Sequence, residues 1–243
     1  MRKGQLGTKG WGLAIPLAMS LLINITARAS DEENLNELAE EPTITVRVFN
    51  YTRLSDKALT EAGAQTSRVF WRAGIKVLWL NCYSSKEGFQ SHPHCGRASG
   101  PTDISLRVLY RPKVMPSSFH DTIGFSFVAS TGEFGDLGSV YYDRVEDMAV
   151  RFRITEAVVL GHAAAHEIGH LLLGTARHSR KGIMCANWSR GEMILAVLGD
   201  LRFTRQEAQL LRAAVLNRER AQYAPQPVQS ATPWLAAFST KRF

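Results

Sequence analysis

The chain has 243 residues, 45% of them hydrophobic and 21% charged, a globular composition with length enough for one sizeable core and residues to spare. Its formal charge of +7 falls to +3, 25 basic against 22 acidic residues, once residues 1–29 with Arg2, Lys3, Lys9 and Arg28 are set aside. Net charge therefore gives no ground for a nucleic-acid partner.

Residues 1–29 open with Met1-Arg2-Lys3, continue into an apolar run from Trp11 to Ile25 interrupted by Pro16 and Asn24, and close on Ala27-Arg28-Ala29. A basic start, an apolar stretch near the lower limit for a membrane span and a small-x-small end predict a secretory signal peptide cut after Ala29. The expected location is secreted or periplasmic, with no stable membrane insertion after cleavage. Residues 30–42 are acidic and poor in large apolar groups, which predicts a solvated leader.

Thr43–Phe49 alternates with period two and is β-branched, the pattern of a strand with one buried face. Ser55 caps a helical pattern through Leu59, Ala62, Thr66, Val69 and Phe70, ending near Gly74, and Ile75–Leu80 reads as a second strand. Cys82 and Cys95 flank a polar loop, and in an oxidising compartment a disulfide closing it would contribute about 2–3 kcal/mol. Cys185 is then left over. Asp103–Leu109 repeats the strand pattern, and Gly124–Val128 and Ser139–Tyr142 are two shorter candidates separated by a Gly-rich turn.

Thr155–Leu173 is helical and apolar around most of its circumference, which predicts burial in the core. A last amphipathic segment starts at the cap Thr204, with Glu207 three residues on, and runs to Arg220. Beyond Tyr223 three prolines and no periodicity predict a loose tail over 223–243. The order strand, helix, four strands, helix predicts a mixed α/β fold in one domain over 43–222: a mixed sheet of about five strands with a helix packed on it. No internal repeat or glycine-rich phosphate loop is present.

The buried helix carries His166-Glu167-Ile168-Gly169-His170. Two histidines four apart project from one helix face about 6 Å from each other, so both rings can reach one tetrahedral ion, while Glu167 is turned about 100° round the axis and can reach a bound water without being a ligand. A catalytic zinc needs a third protein ligand. Gly174 offers a helix stop in the left-handed conformation, and His178 follows it. His162 lies on the same face, but about 12 Å along the axis from His170, too far to share one ion. Glu192 is an alternative third ligand, because other H-E-x-x-H enzymes use a downstream glutamate.

The run from His166 to His178, followed by Gly182-Ile183-Met184, resembles the metzincin clan of zinc endopeptidases, with its third histidine and its methionine turn. It is more similar still to secreted bacterial proteins carrying H-E-x-G-H-L-L-L-G-x-x-x-H-S-x-x-G-I-M. The resemblance implies a metzincin-like sheet with a backing helix, an active-site helix and a C-terminal helix. It further implies one Zn2+ held by His166, His170 and His178, Glu167 as general base and Met184 as a hydrophobic floor.

Two departures from that pattern stand out. Gly174 and His178 are displaced outward by one and two residues from the usual H-E-x-x-H-x-x-G-x-x-H. After Met184, where several metzincins carry a tyrosine, the sequence reads Cys185-Ala186-Asn187-Trp188. Arg177, Asn187 and Arg190 are the candidates to stabilise an oxyanion in its place. The expected activity is hydrolysis of peptide or protein substrates by a zinc-activated water; the alternative is a catalytically silent, zinc-containing secreted binding protein on the same scaffold.

Overall fold

The structure, a computed structural model, describes residues 41–82, 93–113, 122–128 and 135–223. The expected signal peptide, nearly all of the leader and the tail beyond Tyr223 lie outside the described residues. The elements in chain order are β1 Thr43–Asn50, α1 Asp56–Trp71, β2 Lys76–Cys82, a one-turn helix α2 Pro93–Gly96, β3 Asp103–Leu109, β4 Gly124–Ser126, β5 Leu137–Tyr141, α3 Tyr142–Phe152, α4 Glu156–Leu173, α5 Arg190–Leu198 and α6 Arg205–Tyr223.

The five strands form one sheet in the order β2-β1-β3-β5-β4. β1 pairs in parallel with β2 and β3, β3 pairs in parallel with β5, and β4 runs antiparallel to β5 at the edge. A mixed α/β fold with five strands is therefore what the sequence folds into. Ile44, Val46 and Val48 of β1 are wholly buried, as alternation predicts. The other face of β1 is covered as well: Thr45 and Arg47 are buried, and the Arg47 guanidinium donates to Asp103 at 2.7 Å and to the carbonyl of Arg97 at 2.8 Å. A central strand can thus bury an arginine, because the partner carboxylate balances its charge and the carbonyls take up its terminal donors, Nε alone being left without a partner among the described residues.

The turn into α1 is built by side chains. Asn50 receives Thr52 N–H at 3.0 Å and donates to Leu54 O at 2.8 Å, and Ser55 accepts from Ala58 N–H as N-cap. The helix ends at Trp71, and the turn that follows passes through Gly74, whose φ of +74° suits glycine. Cys82 and Cys95 are joined by a disulfide that ties the end of β2 to α2, and Cys185 is buried and free.

α1 and α4 pack against each other, and α4 also touches β4, β5, α3, α5 and α6. Close approach of α1 and α4 rests on Gly161, where a Cβ would stand 2.5 Å from Gln65 Cβ. Thr66 Oγ1 donates to Gly161 O at 2.9 Å across the same contact. Arg218 of α6 is buried and donates to Leu171 O and Gly135 O, each at 2.9 Å, fastening the last turn of α4 to the start of the β5 strand segment.

Two helices add to the expected order. α3 starts at the residue after β5 with no side-chain cap, so its first turn is hidden in Tyr141-Tyr142, which reads as strand. α5 is short and leaves Ile194, Leu195, Val197 and Leu198 exposed, so it lacks an amphipathic pattern. Its signal is the capping box Ser189–Glu192. Among the described residues no helix is long and apolar enough to cross a membrane.

Candidate metal centre

Every residue from Gly161 to Leu172 of α4 is buried, so His166, Glu167 and His170 sit on a core helix rather than a surface one. Their rings are held from behind by backbone. His166 Nδ1 lies 2.8 Å from Ile183 O and His170 Nδ1 2.7 Å from Thr175 O. A carbonyl only accepts, so each Nδ1 carries the hydrogen and each Nε2 presents a lone pair.

The two Nε2 atoms stand 3.0 Å apart. Burial pushes the His166 pKa down to about 3 and that of His170 down as well, so neither ring holds a second proton at neutral pH. Two facing lone pairs at that distance repel unless a cation lies between them.

The candidate nitrogens of His166, His170 and His178 all lie within 4.8 Å of one another. Two imidazole nitrogens bound to a tetrahedral zinc at about 2.0–2.1 Å stand about 3.3–3.4 Å apart. The three-nitrogen donor set therefore fits zinc, and the carbonyls behind His166 and His170 are the supports that metal-binding imidazoles ordinarily have.

His178 reaches this place by a route the sequence spacing disguises. α4 ends at Leu173, Gly174 adopts φ +62°, and Arg177 N–H donates to Thr175 Oγ1 at 3.1 Å in a compact turn. The extra residues are taken up there, and the exposed His178 ring comes back to stack on His166 at 5.3 Å and to meet His170 edge-on at 4.9 Å. Beyond it Ser179 N–H donates to Met184 O at 2.9 Å, and the Ser179 hydroxyl pairs with Glu207. Glu207 also accepts from Thr204 N–H at 2.7 Å, so the cap of α6 anchors the loop that carries His178.

Met184 is 1% exposed and packs directly on α4: a Cβ on Gly169 would lie 2.7 Å from its Sδ and 2.9 Å from Phe203 Cε1. Neighbouring Ile183 O accepts from both His166 Nδ1 and Trp188 Nε1, the latter at 3.1 Å. Trp188 also meets the His166 ring edge-on at 5.6 Å.

Glu167 is 3% exposed, and burial raises its pKa to about 7 against the lowering effect of Ser126. Ser126 Oγ stands 2.6 Å from Glu167 Oε2 and 2.8 Å from Glu167 O. One hydroxyl proton serves one acceptor: it turns to the carboxylate when Glu167 is ionised and to the carbonyl when Glu167 carries its own proton. Gly124 makes room for the carboxyl, since a Cβ there would lie 2.7 Å from Glu167 Oε1. Ser126, Gly124 and Trp188 carry no motif, and only the pairing of β4 with β5 brings the first two to the helix.

A cleft of about 420 Å3 opens over this group, with β4 along one side and His166, Glu167, His170 and His178 along another. Of the three oxyanion candidates Asn187 lines it. Arg177 is exposed on the turn, and Arg190 faces a separate apolar hollow with Met193 and Ile194. The other residues weighed from the sequence lie elsewhere. Glu192 is half-buried and bound to Ser189 N–H and Oγ, so it caps α5 and does not join the histidines. His162 is buried with Nδ1 on Val158 O, and Cys185 is a small buried side chain beside Met184.

No protein family and no curated protein matches this sequence. Among solved structures the chain is similar to archaemetzincin from Methanopyrus kandleri, at 14% identity over 74% of this chain and 99% of that one, with a TM-score of 0.45. It is also similar to a zinc-dependent peptidase from Methanocorpusculum labreanum, at 13% identity over 69% of this chain and 99% of that one, with a TM-score of 0.43.

Proposed function

We propose that this chain is a secreted zinc-dependent metallopeptidase, with one zinc ion held by His166, His170 and His178 and with Glu167 as general base. The observation that carries the reading is the pair of imidazole lone pairs 3.0 Å apart, each ring fixed by a backbone carbonyl and directed at a cleft that a third histidine borders. When bound, zinc would supply Lewis acidity, polarising a carbonyl and acidifying a water.

The chain's own groups do the rest. Glu167 takes the proton of the attacking water and returns it to the leaving amine, a task suited to a carboxyl whose pKa burial brings to about 7. Ser126 orients that carboxyl. Met184 gives α4 and the histidines a packed support. Among the described residues β4 is the last strand of the sheet, so an extended peptide would add to its outer edge and pass over the histidines. Asn187, which lines the cleft, is the candidate donor to the oxyanion.

Secretion or periplasmic location is supported by the signal-like residues 1–29, with cleavage after Ala29, and by the Cys82–Cys95 disulfide, which persists in an oxidising compartment. The peptidase domain is taken as 43–222, with a leader over 30–42 and a tail over 223–243.

The test is zinc content and cleavage of unfolded protein by the chain starting at Ser30, beside its Glu167→Gln variant. Stoichiometric zinc in both, with hydrolysis in the parent and its loss in the variant, is the expected result; equal hydrolysis in the two removes Glu167 from the mechanism. His178→Ala is expected to lose zinc and Glu192→Ala to keep it. Zinc without hydrolysis of any substrate would instead identify a binding protein on this scaffold.

A further inference from the structure

α5 is held by its two ends and by little in between. Ser189 and Glu192 form the capping box, Gly199 closes the helix at φ +74°, and only Met193 and Ala196 are buried. The outer face carries Ile194, Leu195, Val197 and Leu198, each between 41% and 66% exposed. Neither the core nor helix propensity calls for aliphatic residues there, and the β-branched Ile194 and Val197 are poorer helix formers than lysine or glutamate. Exposed apolar side chains gathered on one face mark a binding surface.

The apolar surface continues past the helix. Ile194, Val197 and Leu198 line a hollow of about 160 Å3 together with Phe152 and Ile154 from the end of α3, and Arg190, one turn before Ile194 on the same stripe, lines it too. At the C-terminal end of α5 a Cβ on Gly199 would stand 3.6 Å from Arg68 Cδ, so the stripe of α1 that holds Arg68 and, one turn on, Trp71 flanks this face. Trp71 is 67% exposed. The border is basic: Arg68, Arg151, Arg153 and Arg190 are exposed, and none of the four pairs with a carboxylate among the described residues. Arg68 bonds neutral Gln65, and Arg151 lies over the Phe152 ring at 5.3 Å. Nearby acids are few and mostly occupied, Glu192 with Ser189 and Glu156 with Tyr142, which leaves Asp200 beyond Gly199.

We propose that the outer face of α5, with Arg68 and Trp71 of α1 and the arginines at the end of α3, docks the protein peripherally on an anionic lipid bilayer. Acyl chains take the aliphatic side chains, the interface takes the amphipathic Trp71 ring, and lipid phosphates take the guanidinium groups. A second copy complements the face less well, because a twofold contact sets the same arginines against each other. Residues 224–243 of this chain carry Lys241 and Arg242 and no acid, so they share its sign of charge. The docking is independent of the chemistry at the histidines.

The experiment is cosedimentation of the chain starting at Ser30, without the apolar run of residues 11–25, which would bind lipid by itself. The vesicles are phosphatidylcholine alone, or phosphatidylcholine and phosphatidylglycerol in equal parts. Binding to the anionic vesicles is expected, more than about tenfold tighter than to the neutral ones and weakened by salt. Ile194→Ser and Leu198→Ser together should lower the partition coefficient about tenfold or more, and Arg153→Gln and Arg190→Gln about fivefold each. Thermal midpoints measured beside the binding separate lost docking from lost folding, and the arginine variants, which alter exposed side chains, decide the matter should the serine variant unfold.

Two variants serve as controls and should bind as the parent does. Leu78→Ser removes an exposed leucine from the side of β2 turned away from the helices, since its neighbour Trp79 is the residue packed on Gly63 of α1. Arg220→Gln removes a charge near the far end of α6. Failure of the parent to bind anionic vesicles overturns the proposal, and so does an equal loss in the face variants and the controls. A concentration-dependent dimer dispersed by Leu198→Ser, with no binding to vesicles, would give the face to a second copy instead. Binding that appears only when the acidic residues 30–40 are deleted would give it to that leader in the intact chain, and equally overturns the lipid assignment.

Discussion

Ser126 and Glu167 form a pair in which one hydroxyl fixes the direction of one carboxyl, 2.6 Å away on a different element. Without the hydroxyl the carboxyl loses its only side-chain hydrogen bond among the described contacts and swings about its last torsion. Ser126→Ala is therefore expected to lower kcat about tenfold while zinc content stays at the parental value, the loss of one positioned hydrogen bond being of that order. Metal analysis run beside the kinetics separates this from a folding defect, which would reduce both together. The residue scale is also where the sequence was most legible. His166, Glu167 and His170 are recognisable as a group because helical spacing alone sets their mutual direction, whereas Ser126 and Trp188 reach the same place through sheet pairing and a loop, for which no spacing rule exists.

At the scale of elements the decisive contact is between α4 and the loop that carries Met184. Gly169 allows it, since a Cβ there would be 2.7 Å from Met184 Sδ and 2.9 Å from Phe203 Cε1. In an isolated helix Gly→Ala gains about 1 kcal/mol in propensity. Here overpacking is expected to outweigh that gain and leave Gly169→Ala less stable by about 1–2 kcal/mol. Urea unfolding of the metal-free protein measures the sign directly, and a rise in the midpoint would show that the loop relaxes at no cost.

The elements also separate what pattern reveals from what it hides. β1, α1, α4 and α6 announce themselves by alternation, by helical periodicity or, for α1 and α6, by their caps at Ser55 and Thr204. α3 and α5 do not, because one begins without a loop at the end of a strand and the other exposes apolar residues on its outer face. Glu192 illustrates the cost: a glutamate three residues after Ser189 is the mark of a capping box, and it was open to reading as a metal ligand because α5 itself was invisible.

For the whole molecule the buried imidazoles make stability depend on pH. His166 is pushed down to about 3 by burial, while in the unfolded chain it titrates near its ordinary value of 6.5. Between those two values the unfolded state binds more protons than the folded one, so the stability present above pH 6.5 declines as pH falls towards 3. Burial lowers His170 and His162 as well, which adds to the same trend. The metal-free protein is expected to show a thermal midpoint that drops steadily below pH 6.5, and zinc at neutral pH to raise that midpoint in proportion to the logarithm of its free concentration. The raised pKa of Glu167 acts in the opposite sense between pH 4.5 and about 7, so Glu167→Gln should steepen the decline on the acid side. A thermal midpoint independent of pH from 7 to 4 would contradict the burial of neutral histidines.

The sequence by itself determined the mixed α/β architecture and the placing of His166, Glu167 and His170 on one buried helix, because each follows from local periodicity or from the chemistry of a residue type; it made the Cys82–Cys95 disulfide an expectation. It did not determine how the chain returns after Gly174. Whether His178 meets the other two rings depends on the turn through Thr175 and Arg177, on Ser179 holding Met184, and on Glu207 of a helix nearly thirty residues later. Those contacts are long in sequence and short in space. Only the tertiary structure decided them, along with the seat of Glu167 against Ser126.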